Sequence, residues 1–202
     1  MPDTPGRWRV PFVGLTGGLG AGKSTALDGL AELGAATLSA DAVVHDLLGT
    51  DEVREAIAGR LGGGVLDPEG AVDRSAVAAH VFDRSEDRAW LEGMLWPRVG
   101  ARIAEWRDEV ERWDPAPPAA VVEVPLLFEA GMEAIFDATI VVIAEEALRA
   151  ERAQARGHTA VAQRTGRQLS QDDKAARADH VVRNDGTREE LKAELSRILA
   201  TI

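Results

Sequence analysis

Residues 17–24 read Gly17-Gly18-Leu19-Gly20-Ala21-Gly22-Lys23-Ser24, with Thr25 next. They follow a short apolar run over residues 10–16 and open a stretch whose apolar positions, Ala26, Leu27, Leu30 and Leu33, recur at helical spacing. A strand that turns through glycines directly into a helix leaves few folds open. In such a turn the backbone N–H groups converge with no Cβ atoms in the way, and the helix adds the positive end of its dipole. The sequence satisfies G-x-x-x-x-G-K-[ST] in full, in the strand-to-helix context that gives the pattern its meaning, so it predicts a cradle for the phosphates of a nucleoside triphosphate. Lys23 is then placed to reach the β- and γ-phosphates, and the Ser24 hydroxyl to ligand Mg2+. Gly34 stands where it would cap the helix.

Strand and helix signals alternate along most of the remaining chain. Residues 35–39 are a weak second strand candidate. Residues 120–128 are a stronger one, because Val121, Val122, Val124, Leu126 and Leu127 make a nearly continuous apolar run. Residues 138–143 (ATIVVI) are the clearest strand, and Val181 and Val182 mark another. The turn residues Asn184-Asp185-Gly186 and an amphipathic helix near 187–199 follow. Apolar strands separated by helices predict an α/β fold with a parallel sheet covered on both faces. Residues 41–113 break the alternation: they show helical periodicity and turns but no convincing strand. Within them Asp73-Arg74-Ser75 reads as a helix start, and residues 91–110 carry apolar side chains at helical spacing. Helices covering a sheet edge and a substrate-binding insertion both fit this stretch.

The 202 residues suffice for one domain with an insertion. With 45% hydrophobic and 28% charged residues, disordered, collagen-like and coiled-coil classes fit poorly. The absence of cysteine removes disulfides, thiolate metal sites and cysteine nucleophiles. His45, His80, His158 and His180 form no close ligand-spaced pair, which counts against a structural metal site. A net charge of −11 disfavours nucleic acid and anionic membranes as partners. No apolar run approaches a membrane span, and residues 1–9 are polar, so the expected location is the cytoplasm.

Asp41 lies just past the second strand candidate, where ligands bind in doubly wound folds. A carboxylate there suits orienting and deprotonating an attacking hydroxyl or holding a magnesium-bound water, and equally capping a helix over residues 42–48. Residues 149–168 hold Arg149, Arg152, Arg156, Arg164 and Arg167 against Glu151 alone, a local charge of +4 that leaves −15 on the rest. The acidic total therefore does not argue against phosphate ligands. Arg149, Arg152 and Arg156 share a helical face. Beside a phosphate cradle such a cluster reads as a lid over the triphosphate; taken alone, it reads as a solvated helix paired with Glu145 and Glu146. An N-K-x-D guanine motif is missing, and the run over residues 121–129 carries no acid in the usual Walker B place. A small-molecule kinase fits better than a GTPase or an ATPase motor.

The chain resembles the dephospho-CoA kinase family over almost its whole length. The likeness runs from Gly14-Leu15-Thr16-Gly17-Gly18 through the cradle to Ala40-Asp41, and resumes at Val72-Asp73-Arg74, Val81-Phe82 and Trp96-Pro97. Val124-Pro125-Leu126-Leu127-Phe128-Glu129 is similar to the family's most distinctive signature. Arg152, Arg156, Arg164 and Gln168 match its lid pattern, and residues 178–186 (ADHVVRNDG) its closing motif. Two positions depart: Ser39 and Trp96 stand where the family often has an aspartate and a histidine. The resemblance implies a P-loop kinase fold, a five-stranded parallel sheet with helices on both faces. Its single domain, 9–202, would comprise a core (9–40, 119–148, 177–202), a helical acceptor-binding insertion (about 41–118) and an Arg-rich lid (about 149–176).

It also implies transfer of the ATP γ-phosphoryl group, with Mg2+, to the ribose 3′-hydroxyl of dephospho-CoA, the last step of CoA biosynthesis. Lys23, Asp41 and Arg152 would be catalytic, Asp41 serving the acceptor hydroxyl. Residues Gly18, Leu19, Gly20, Ala21, Gly22, Lys23, Ser24 and Thr25, with Arg156, Asn184 and Gly186, would bind ATP, the last two near the adenine. Arg74 and Glu129 would serve the acceptor side, and the sequence sets no oligomeric state, a monomer being compatible with it. Another nucleotide or small-molecule kinase, and a nucleotide-dependent binding switch, are the alternative readings.

Overall fold

The computed structural model describes residues 10–155 and 168–202. Backbone contacts divide the chain into one unit that runs to Ser39 and resumes at Trp106, and a second, Ala40–Glu105.

The first unit is built on five parallel strands: β1 (Phe12–Gly17), β2 (Ala36–Ser39), β3 (Ala120–Glu123), β4 (Ala138–Ile143) and β5 (His180–Arg183), in the spatial order β2-β3-β1-β4-β5. Every residue of β1 and β3 is buried, as expected of parallel strands covered on both faces. The register places Leu15 of β1 opposite Glu123 on one side and Ile140 on the other. Helix α1 (Lys23–Glu32) follows β1, and its Ala26 and Leu30 are fully buried in a core with Val13, Val121, Ile140, Val142 and Leu195. Leu195 belongs to the C-terminal helix, Arg188–Leu199, and its Cδ1 lies 3.3 Å from where a side chain on Gly29 would begin, so the two helices pack closely. Thr187 starts that helix with a capping box: its hydroxyl accepts from Glu190 N and its N–H donates to the Glu190 carboxylate at 2.8 Å. Gly34 ends α1 in the left-handed region, φ 91°.

One strand is shorter than its sequence predicts. The apolar run over residues 120–128 predicts a single strand, yet β3 stops at Glu123. Pro125 has no N–H to give a ladder. Val124, Leu127 and Phe128 are apolar because they are buried in the turn that follows, not because they are strand.

The second unit holds α2 (Ala40–Leu48), α3 (Asp51–Leu61), α4 (Arg74–Phe82) and most of α5 (Ser85–Val110). Val53, Ile57, Leu61, Val65, Val77 and Leu95 form its core. Asp73 caps α4, accepting from Ser75 N at 2.8 Å and Ala76 N at 3.1 Å. Leu66 and Val72 form an isolated antiparallel bridge. Among the described residues no helix is long and apolar enough to cross a membrane.

Asp179 ties the start of β5 to β4. Its Oδ2 accepts from Thr139 N at 2.8 Å and from the Thr139 hydroxyl at 2.7 Å. The Thr139 hydroxyl first, then its backbone N–H, hold the carboxyl below its ordinary range. A carboxyl depressed in the folded state stabilises the fold above its unfolded value of 3.8, and that contribution disappears as pH falls through the lower folded value. Urea denaturation of Asp179→Asn should therefore differ most from the native sequence near neutral pH. The two curves should converge below about pH 4.

Candidate active site

The turn after β1 has the shape its sequence predicts. Gly20 (φ 75°) and Gly22 (φ 96°) adopt left-handed backbone, and both face neighbours that leave no room for a Cβ. A side chain on Gly20 would meet the Arg149 carbonyl; one on Gly22 would overlap the Asn184 amide. Gly22 lets α1 begin at Lys23, aiming the first-turn N–H groups into the loop. Half-buried Lys23 donates from Nζ to the Gly18 carbonyl at 3.3 Å. Ser24 is exposed at the head of α1, and its hydroxyl makes no hydrogen bond among the described residues.

Two further segments lock onto this loop. Asn184, just past β5 and 6% exposed, donates from Nδ2 to the Ala21 carbonyl at 2.9 Å. Its own carbonyl accepts from Arg152 Nη1 at 2.9 Å. Arg149 donates from Nε to the Leu19 carbonyl at 3.0 Å. Both arginines lie on α6 (Glu146–Ala155). The sequence alone allows a solvated helix paired with Glu145 and Glu146, but the structure points both guanidinium groups at backbone carbonyls, Leu19 in the loop after β1 and Asn184 just past β5. Gly186, expected near the adenine, makes room for the Glu190 carboxylate of the C-terminal capping box. Arg156, Arg164 and Arg167 lie outside the described residues.

Asp41 is the second residue of α2, which follows β2 directly. It sits inside the first turn, so it is not the N-cap that its sequence position also allows. Its carboxylate is exposed and without a hydrogen bond among the described residues. Arg74, the first residue of α4, is likewise exposed and unpaired among them. Glu129 is committed: Oε1 accepts from Leu169 N at 2.8 Å and pairs with Lys174 Nζ at 2.9 Å.

The family model described as dephospho-CoA kinase matches residues 11–190. The chain belongs to the dephospho-CoA kinase family. A dephospho-CoA kinase of Anaeromyxobacter dehalogenans is 39% identical over 195 residues, covering 94% of this chain and 91% of its own. A crystal structure from Thermus thermophilus, 32% identical, has a TM-score of 0.79 over 96% of this chain and 99% of that one. A dephospho-CoA kinase from Campylobacter jejuni, 23% identical, shares the fold with a TM-score of 0.63 over 95% of this chain and 96% of its own.

Two residues of this dephospho-CoA kinase family member escape a reading of sequence. Glu123 ends β3 as a buried acid, 7% exposed, opposite Leu15 in the strand that leads into the cradle. A run read as strand through Phe128 hides it, because the acid then falls mid-strand. Lys174, fully buried, looks in sequence like one more charge on a polar helix. As for Mg2+, the ion keeps several waters and takes few protein ligands alongside substrate phosphates. A hydroxyl at the head of α1 with no hydrogen bond among the described residues, beside the glycine loop, fits that demand.

Proposed function

We propose that the chain phosphorylates the ribose 3′-hydroxyl of dephospho-CoA from ATP, in the cytoplasm, as the last step of CoA biosynthesis. What carries this reading is the complete cradle at the end of β1, with Lys23 already seated on it, in a chain of the dephospho-CoA kinase family. The donor and the acceptor are both polyanions. The surplus of acid elsewhere keeps nucleic acid from competing.

Phosphoryl transfer needs positioning and charge neutralisation more than covalent chemistry. The N–H groups over Gly18, Leu19, Gly20, Ala21, Gly22, Lys23, Ser24 and Thr25 hold the ATP phosphates, and Lys23 neutralises charge on the transferring group. Ser24 would hold Mg2+, which when bound neutralises charge between the phosphates. Asp41 orients the acceptor hydroxyl and takes its proton. Arg152, with Arg156 from beyond the described residues, serves the transferring phosphoryl group. Asn184 and Gly186 border the adenine, Asn184 also fixing the loop through Ala21. Arg74 serves the acceptor side directly. Glu129 serves it by anchoring the segment over residues 124–129.

The deciding assay is ATP turnover with dephospho-CoA beside AMP, shikimate and water alone. Stoichiometric phosphate at the ribose 3′ position is expected; turnover with water alone, or with AMP or shikimate in preference, overturns the reading. Arg152→Ala should lower kcat/KM by roughly 10²-fold, the worth of one charge-assisted donor in the transition state. Unchanged kcat/KM removes Arg152 from the mechanism. Its thermal midpoint should be measured too, because the same guanidinium supports Asn184.

A further inference from the structure

Two cations meet at Gly18. From one side Lys23 Nζ donates to its carbonyl at 3.3 Å. From the other, the Arg149 guanidinium lies against the face where a side chain would project, Nη2 and Cζ being 3.0 and 3.2 Å from that point. The first turn of α6 also covers Gly20, whose missing Cβ makes room for the Arg149 carbonyl. Among the described residues the Arg149 side chain makes one hydrogen bond, Nε to the Leu19 carbonyl at 3.0 Å. Its two Nη groups make no hydrogen bond and no ion pair among the described residues. Arg152, on the same helix, instead spends an Nη group on Asn184.

We infer that Arg149 is a standing part of the donor-phosphate site, seated on the cradle before nucleotide arrives, with its free Nη edge donating to phosphate oxygens. This role rests on the ATP side of the proposed reaction and not on its acceptor. Lys23 and Arg149 bring two positive charges to one glycine, and an anion that reaches both is attracted by both. A planar fork held at Nε keeps both Nη groups aligned for such an anion, which a lysine ammonium cannot imitate. Such a cation also needs no movement of α6 to reach its place.

The test is calorimetric binding of MgATP and of inorganic tripolyphosphate across a potassium chloride series, for the native sequence, Arg149→Gln and Arg149→Lys. Arg149→Gln should weaken both ligands about tenfold and flatten the salt dependence. Arg149→Lys should keep the salt dependence and recover part of the affinity. Ligand-free thermal midpoints measure the brace on Leu19 separately. Unchanged tripolyphosphate affinity in Arg149→Gln overturns the inference. So does weaker binding with an unaltered salt dependence, which would make Arg149 a brace and nothing more. If the native chain ignores dephospho-CoA while these losses are still seen, the acceptor reading falls and the role of Arg149 stands.

Discussion

Asp41→Asn should lower kcat by about 10²- to 10⁴-fold while leaving the KM for ATP nearly unchanged. β1 and β2 both run parallel to β3 between them, and Asp41 follows the last residue of β2 by two positions. No neighbour claims the carboxylate: it caps no helix and accepts no hydrogen bond among the described residues. An exposed acid in the first turn of a helix is comfortable beside the dipole, so folding does not need this one paired. Asparagine keeps the shape and can still accept a hydrogen bond from the acceptor hydroxyl, but it cannot take the proton. The substitution therefore separates orientation from base catalysis. Steady-state rates with dephospho-CoA, read beside the thermal midpoint, decide it. A variant that keeps near-native kcat means that Asp41 is not the base.

The features legible in sequence are local ones. The cradle could be read residue by residue because each of its parts, glycines, lysine and hydroxyl, acts within one turn of chain. The strands β1 and β4 were legible because a parallel strand buried on both faces has to be apolar almost throughout. Where burial comes from a turn instead, the same signal misleads, as it does past Glu123. The arginines of α6 show a second limit. Periodicity puts Arg149 and Arg152 on one face but does not say that one docks on Leu19 and the other on Asn184, 130 and 32 residues away along the chain. Only the tertiary fold assigns those partners.

Lys174 is the extreme case of that limit. It lies on α7 (Gln171–Arg177), between acids and another base, where a solvated face is the natural expectation, yet it is fully buried. Its ammonium meets the Glu129 carboxylate at 2.9 Å and the Pro125 carbonyl at 3.1 Å. Bringing the pair inside costs several kcal/mol per ion, so the pair itself is weak evidence of stability. Removing one partner is a different matter, and here the two halves are unequal. The Glu129 side chain keeps 13% exposure and the Leu169 N–H, whereas Lys174 keeps the Pro125 carbonyl but neither exposure nor a counter-charge among the described residues. Glu129→Leu, which strands a fully buried cation, should cost about 3–5 kcal/mol, and Lys174→Met visibly less. The double variant should recover much of the loss, because two apolar side chains leave no unpaired charge behind. Urea unfolding of all four proteins measures the cycle. If the losses simply add, the two residues do not form a pair whose halves depend on each other, and the anchoring role of Glu129 fails with it.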